Sequence, residues 1–255
     1  MKLVLLGAGN VASHLATALN EKGVKICQIF SRTEIAAQFL AEKIGVQYTT
    51  HISELCHDAD TYLYSVSDSA LPDLISKINR PNALHIHTSG STEMEIFGGF
   101  TENYGVLYPL QTFSKHKAVN FAEIPIFIEG NNEFSHNKIY EIAKILTEKL
   151  HFINSADRKK LHLSAVFVCN FVNHLYTIGS ELVQDAGVDF EVLLPLINET
   201  TEKIKTLSPR EAQTGPAVRN DQNIIKKHLK LLKNKRDLAE IYELISEDIY
   251  DTHKR

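Results

Sequence analysis

The sequence is poor in cysteine, carries little net charge and has no long apolar run at its start. Cys27, Cys56 and Cys169 are scattered and odd in number, so a disulfide framework is excluded as the source of stability. Each lies in an apolar context, and all three are expected to be reduced core residues of a cytoplasmic protein. A formal net charge of −4 argues against nucleic acid as the main partner. At the N-terminus, the run Leu3-Val4-Leu5-Leu6 is too short for a secretory h-region and leads straight into a glycine turn. Residues 161–180 lack Asp, Glu, Lys and Arg, but they include His162, Asn170, Asn173, His174, Thr177 and Ser180. A lipid-facing helix would not tolerate that set, so a buried helix and no membrane partner are expected. No internal repeat and no low-complexity linker is present.

Hydrophobic residues make up 44% of the chain and charged residues 23%, enough apolar surface for one large core or two modest ones. Short apolar strand patterns at 2–6, 26–31, 61–65, 83–87 and 124–129 alternate with helical patterns at 11–22, 34–44 and 70–78. That alternation predicts a parallel sheet covered by helices on both faces. Residues 105–110 begin another strand, limited by Pro109. After Glu133 the strand signals nearly stop. A helix is expected over 134–150 and a short strand over 151–154. Four helices then follow over 157–186, 189–206, 220–232 and 237–250. The expected fold class is α/β: an N-terminal Rossmann doubly wound sheet over 1–154, then an all-α domain over 155–255.

Gly7-Ala8-Gly9-Asn10-Val11-Ala12 follows the first strand and opens a helix. In that context Gly7 permits a tight turn, Gly9 lets the backbone approach a diphosphate, and Ala12 allows close helix–strand packing. The second strand ends in Ser31-Arg32-Thr33, with no acid for ribose hydroxyls. Arg32 can pair with a 2′-phosphate while Ser31 and Thr33 donate to it, so the expected cofactor is NADP. Ser65-Val66-Ser67-Asp68 and His87-Thr88-Ser89-Gly90-Ser91 end later strands, where an open sheet presents its ligand crevice. Ser65, Val66, Ser67, Thr88 and Ser89 are therefore expected beside the cofactor's nicotinamide half. Thr92 and Glu95 fit a capping box. His85 and His87 share one strand face, but without acidic or thiol partners they read as structural, and no metal is expected.

A nicotinamide enzyme also needs a surface that holds and protonates its substrate. At about 100° per residue, His162, Val166, Asn170, Asn173 and His174 fall within an arc of about 80° on one helix. Phe167, Phe171, Leu175, Ile178 and Leu182 occupy the opposite face. A neutral hydrogen-bonding stripe suits a polar groove or a subunit interface better than a solvated face. Further on, Gln213-Thr214-Gly215-Pro216-Ala217-Val218-Arg219-Asn220-Asp221 places Arg219 for a bidentate grip on carboxylate, with Asn220 as a helix N-cap.

Taken together, Gly7 to Ala12, Ser31 to Thr33, His87 to Ser91, Tyr108-Pro109-Leu110-Gln111-Thr112-Phe113, His162 to Asn170 and Gln213 to Asp221 resemble a bacterial family. It joins a Rossmann-like domain to a C-terminal domain of unknown function 2520. More distantly, the chain is similar to pyrroline-5-carboxylate reductase, deazaflavin-dependent NADP oxidoreductase and the β-hydroxyacid dehydrogenases. The resemblance implies a helical domain that pairs chains into a homodimer. Some members look like an alternative ketopantoate reductase, which makes a ketopantoate-like 2-keto acid the best-named substrate. One departure matters. The hydroxyacid enzymes place a lysine four residues before the helix asparagine, where this chain has Val166. His162 is the expected substitute as proton donor, with Asn170 orienting and Lys159 or Lys160 in reserve. The expectation is an NADPH-dependent reductase of a small carboxylate-bearing carbonyl or imine. A noncatalytic NADP(H)-responsive protein, dimerising through its helices, is the alternative. A Rossmann fold with no nucleotide site is a third reading.

Overall fold

The computed structural model describes residues 1–115 and 117–254; residue 255, at the end of the expected second domain, lies outside them. Contacts divide the chain into two compact units, Met1–His174 and the segment from Leu175 onward. The division falls inside the long helix, later than the expected boundary near Asn154. The first turns of that helix pack back on the sheet, as the buried Ser155 and Arg158 show.

In the first unit the elements run β1 (Lys2–Leu6), α1 (Asn10–Glu21), β2 (Lys25–Phe30), α2 (Glu34–Ile44), β3 (Gln47–Thr49), β4 (Thr61–Tyr64) and α3 (Leu71–Lys77). They continue through β5 (Leu84–His87), β6 (Asn103–Pro109), β7 (Ile126–Gly130), α4 (Glu133–Leu146) and β8 (Leu150–Phe152). The sheet order is β3-β2-β1-β4-β5-β6-β7-β8. Neighbours pair in parallel except β6 with β7. The expected parallel sheet thus contains one antiparallel pair. Its first six strands follow the doubly wound order, which reverses between β1 and β4 and opens a crevice at their carboxyl ends.

β1 explains why the sheet sits where it does. Its alternate side chains serve two cores. Leu3 and Leu5 pack with Leu15, Leu19, Ile139 and Ile142 on one face. Val4 and Leu6 pack with Leu71, Leu74, Ile75 and Phe97 on the other. Each such side chain contributes roughly 1.5–3 kcal/mol on burial.

The long helix begins as α5 (Ser155–Ala165), passes through a π-helical segment (Val166–Phe171) and continues as α6 (Val172–Asp185). The π segment turns less per residue than an α-helix, so the stripe drawn at constant pitch does not hold across it. Nor are residues 161–180, the stretch expected to be buried, buried in this chain. The helix is long and apolar enough to cross a membrane, and its most apolar window has no buried residue. Phe167 and Phe171 form an edge-to-face pair 5.0 Å apart on exposed surface. The three cysteines are corrected likewise: Cys27 and Cys56 are half-buried and Cys169 is exposed.

The second unit continues with α7 (Leu194–Lys203), α8 (Pro209–Ala212), α9 (Gln222–Leu231) and α10 (Arg236–Lys254). Ile178, Leu182, Leu232, Ile241 and Ile245 help to line an apolar cleft of about 350 Å³ within it. The cap of α9 is Asp221, which accepts from Ile224 N–H at 3.1 Å. Asn220, the expected cap, instead takes a left-handed conformation with φ 52°. The Thr92–Glu95 capping box does not form either. A single 3₁₀ turn (Met94–Phe97) follows Glu93 with no side-chain cap, because Thr92 is engaged by Ser89 and Arg158.

Candidate functional site

β1 delivers the chain to Gly7, whose φ is +119°. A Cβ there would lie 2.1 Å from the Ser65 carbonyl oxygen, so only glycine allows the turn to pass this close to the end of β4. Gly9 is the N-cap of α1 and no side chain caps that first turn. Its amides, at the positive end of the helix, are available to an anion. Apart from Gly9's own neighbours along the chain, no atom of the described residues lies within 4 Å of where its Cβ would point. A diphosphate fits this open cradle. The Asn10 side chain is committed elsewhere, donating to the Phe113 carbonyl at 2.9 Å.

Beyond the end of β2, Ser31 Oγ accepts from Thr33 N–H at 3.2 Å. Arg32 is exposed and has no ion-pair partner among the described residues. That leaves its guanidinium open to a phosphate. On the other side of β1, Thr88 Oγ1 donates to Ser65 Oγ at 3.3 Å, and Ser91 Oγ donates to Asp68. These contacts tie the β4 and β5 loops together.

One cleft of about 1010 Å³ runs across these carboxyl ends. The glycine turn, Ser31 to Thr33, Ser65 to Ser67, Thr88 and Ser89 all line it, so every expected cofactor residue opens onto the same space. His162 lines it too. Asn170 does not: it is exposed on the π segment. Arg219 is exposed in the second unit.

The strand histidines are structural in geometry. His85 Nε2 meets the Arg80 carbonyl at 2.9 Å, so it carries the proton, and Nδ1 accepts from Tyr64 O–H at 2.8 Å. His87 Nδ1 accepts from Ser89 N–H at 3.2 Å, leaving Nε2 to donate to the Glu93 carbonyl at 3.3 Å. His87 thereby shapes the turn that carries Thr88 and Ser89. Burial lowers His85 to about 4. Burial, assisted by the Arg158 charge, lowers His87 to about 4 as well. Both rings are neutral with both nitrogens occupied, and no cluster of three or more metal-ligating side chains exists among the described residues.

At the β6 end of the cleft, Tyr108 Oη lies 3.0 Å from His162 Nδ1. A Cβ on Gly90 would come within 2.5 Å of that nitrogen and 2.9 Å of Tyr108 Cζ, so the β5 loop closes directly over the pair. Burial pushes the Tyr108 hydroxyl above its ordinary value, while the Arg158 charge opposes that rise. Arg158 itself is fully buried. Its guanidinium bonds Glu129 and the Thr92 carbonyl, and Glu129 also accepts from Ser155 N–H at 2.7 Å and Ser155 Oγ at 2.8 Å. This network fixes α5, and with it His162, against β7 and the β5 loop. Sequence reasoning quoted Tyr108 and Gly90 only within motifs and gave neither a role of its own, and it did not select Arg158 or Glu129. The available signal was Tyr108-Pro109 at the carboxyl end of a strand next to β5, which is where ligands bind in such sheets.

Residues 2–89 match the family described as NADP oxidoreductase coenzyme F420-dependent, and residues 124–249 match the domain of unknown function DUF2520. The crystal structure of BF3122 from Bacteroides fragilis, provisionally described as an NADP oxidoreductase, is 44% identical over 98% of each chain, with a TM-score of 0.93. Two more distant structures share the fold. Pyrroline-5-carboxylate reductase from Streptococcus pyogenes is 12% identical over 100% of this chain and 98% of its own, with a TM-score of 0.65. The imine reductase from Myxococcus stipitatus, solved with NADP+, is 14% identical over 100% and 93%, with a TM-score of 0.66. No functionally curated protein matches the chain. With this likeness to BF3122 along nearly its whole length, the chain belongs to the NADP oxidoreductase family whose nucleotide domain is followed by the domain of unknown function 2520.

Proposed function

We propose that the protein is a cytoplasmic NADPH-dependent reductase of a small carboxylate-bearing carbonyl or imine, a ketopantoate-like 2-keto acid being the best-named candidate. The observation that carries this reading is the one cleft onto which the uncapped glycine turn, Arg32, which has no ion-pair partner among the described residues, and His162 all open. Gly7 to Val11 would hold the diphosphate. Ser31, Arg32 and Thr33 would hold the 2′-phosphate, and the Ser65 to Ser67 and Thr88 to Ser89 turns the nicotinamide half. The reduced cofactor supplies a hydride. The chain must then orient the acceptor and supply one proton, for which His162 at the cleft wall would be the source.

Asn170 as orienting group and Arg219 as carboxylate grip rest on the sequence pattern alone. The helical region from residue 155 is assigned to substrate binding and homodimerisation. Its exposed Val192, Leu194 and Leu196 support self-association, since such apolar surface is costly to leave in water. Reduced thiols at Cys27 and Cys56 suit a cytoplasmic setting.

The test is His162→Ala, assayed with NADPH against a panel of 2-keto acids and cyclic imines. Turnover should disappear while NADPH affinity is spared. Unchanged turnover removes His162 from the chemistry. Tight NADPH binding with no turnover by the native protein on any compound favours the noncatalytic sensor instead.

A further inference from the structure

Resting on the reductase reading above, we propose that the Tyr108 hydroxyl is the acid that protonates the substrate, with His162 resupplying its proton. Tyr108 stands at the carboxyl end of β6 and lines the cleft beside Gly90 and His162. Its side chain is almost fully buried in the cleft wall, with 8% exposure. Among the described residues its hydroxyl has one hydrogen-bond partner, His162 Nδ1. A phenol can donate one hydrogen bond and accept two, so this hydroxyl keeps capacity for a ligand in the cleft.

His162 is placed as the second member of a relay. Gly90 and Tyr108 enclose its Nδ1, so a proton leaving that nitrogen passes to the phenol oxygen. Its rings meet edge-on, with centroids 6.0 Å apart. The buried Arg158–Glu129 pair fixes α5 against β7, the strand next to β6; burial disfavours the phenolate that forms transiently, and the guanidinium charge offsets part of that cost.

The step balances as follows. A hydride from reduced nicotinamide reaches the carbon of a C=N or C=O bond, and the cofactor leaves oxidised by two electrons. The Tyr108 O–H bond breaks as its proton bonds to the substrate nitrogen or oxygen. The His162 Nδ1–H proton then moves to the Tyr108 oxygen while Nε2 takes a proton from water, which leaves as hydroxide, so the ring stays neutral, and exchange with solvent returns the proton to Nδ1.

Two probes separate proton delivery from binding. At alkaline pH, 2-methyl-1-pyrroline carries no proton on nitrogen and must receive one. The 1,2-dimethyl-1-pyrrolinium cation is already alkylated and needs none. Tyr108→Phe should reduce turnover of the pyrroline by about 10²- to 10⁴-fold, with NADPH affinity and pyrrolinium reduction retained. Added imidazole should restore His162→Gly but not Tyr108→Phe. Loss of both probes by Tyr108→Phe would make the tyrosine structural, and retention of both would remove it from the reaction. Either result overturns the relay while leaving the reductase reading intact. A native protein that binds NADPH yet reduces neither probe nor any 2-keto acid refutes the reductase reading, and the relay with it.

Discussion

Arg158, on the first turns of α5, pairs with Glu129 of β7 in an interior that leaves the arginine with no exposed surface. Among the described residues its Nε has no partner, so the guanidinium depends on Glu129, the Thr92 carbonyl and Ser155 Oγ for compensation. A buried pair of this kind contributes little net stability over an apolar replacement, yet removing one partner strands the other charge. Glu129→Gln or Arg158→Met should each cost about 3–5 kcal/mol in urea unfolding. The double replacement Glu129→Leu with Arg158→Met should cost less than the sum of the two single changes. Additive losses would show that the two residues act independently.

Arg32 is predicted to select the cofactor. It is exposed and unpaired among the described residues beside Ser31 and Thr33, and a charged hydrogen bond to phosphate is worth about 1.5–3 kcal/mol. Arg32→Asp should therefore weaken NADPH binding by about 10- to 100-fold, with a much smaller change for NADH. Equal losses for the two nucleotides would sink the assignment.

His85 and His87 set an acid limit on stability. Both are held near 4 in the folded chain against an ordinary 6.5, so between these values the unfolded chain binds more protons. Stability from the neutral rings is complete above about 6.5 and declines as pH falls toward 4, by roughly 3 kcal/mol per histidine at most. Urea midpoints measured between these limits should fall, and His85→Gln should flatten the slope. A native protein with no such slope contradicts the neutral buried state.

Much of the nucleotide half was legible because its signals are local. An apolar strand running into Gly7-Ala8-Gly9 carries its own turn, and Ser31-Arg32-Thr33 follows the next strand directly. β3 was missed because Gln47-Tyr48-Thr49 has no apolar run and is held by backbone pairing to β2. The direction of β6 against β7 has no periodic signature at all, since the side-chain alternation is the same either way. Arg158 reads as surface within Asp157-Arg158-Lys159-Lys160, and its burial is decided by Glu129, 29 residues earlier. Likewise the Tyr108–His162 contact joins residues 54 apart. The stripe on the long helix failed for a different reason: the π segment at Val166–Phe171 breaks the constant pitch that any wheel assumes.

The most direct test of the whole account is titration calorimetry of the purified chain with each reduced pyridine nucleotide. The cradle at Gly7 to Val11 and the open Arg32 guanidinium predict saturable heat with NADPH at one molecule per chain, and weaker binding of NADH. Silence with both nucleotides, or preference for NADH, would contradict it.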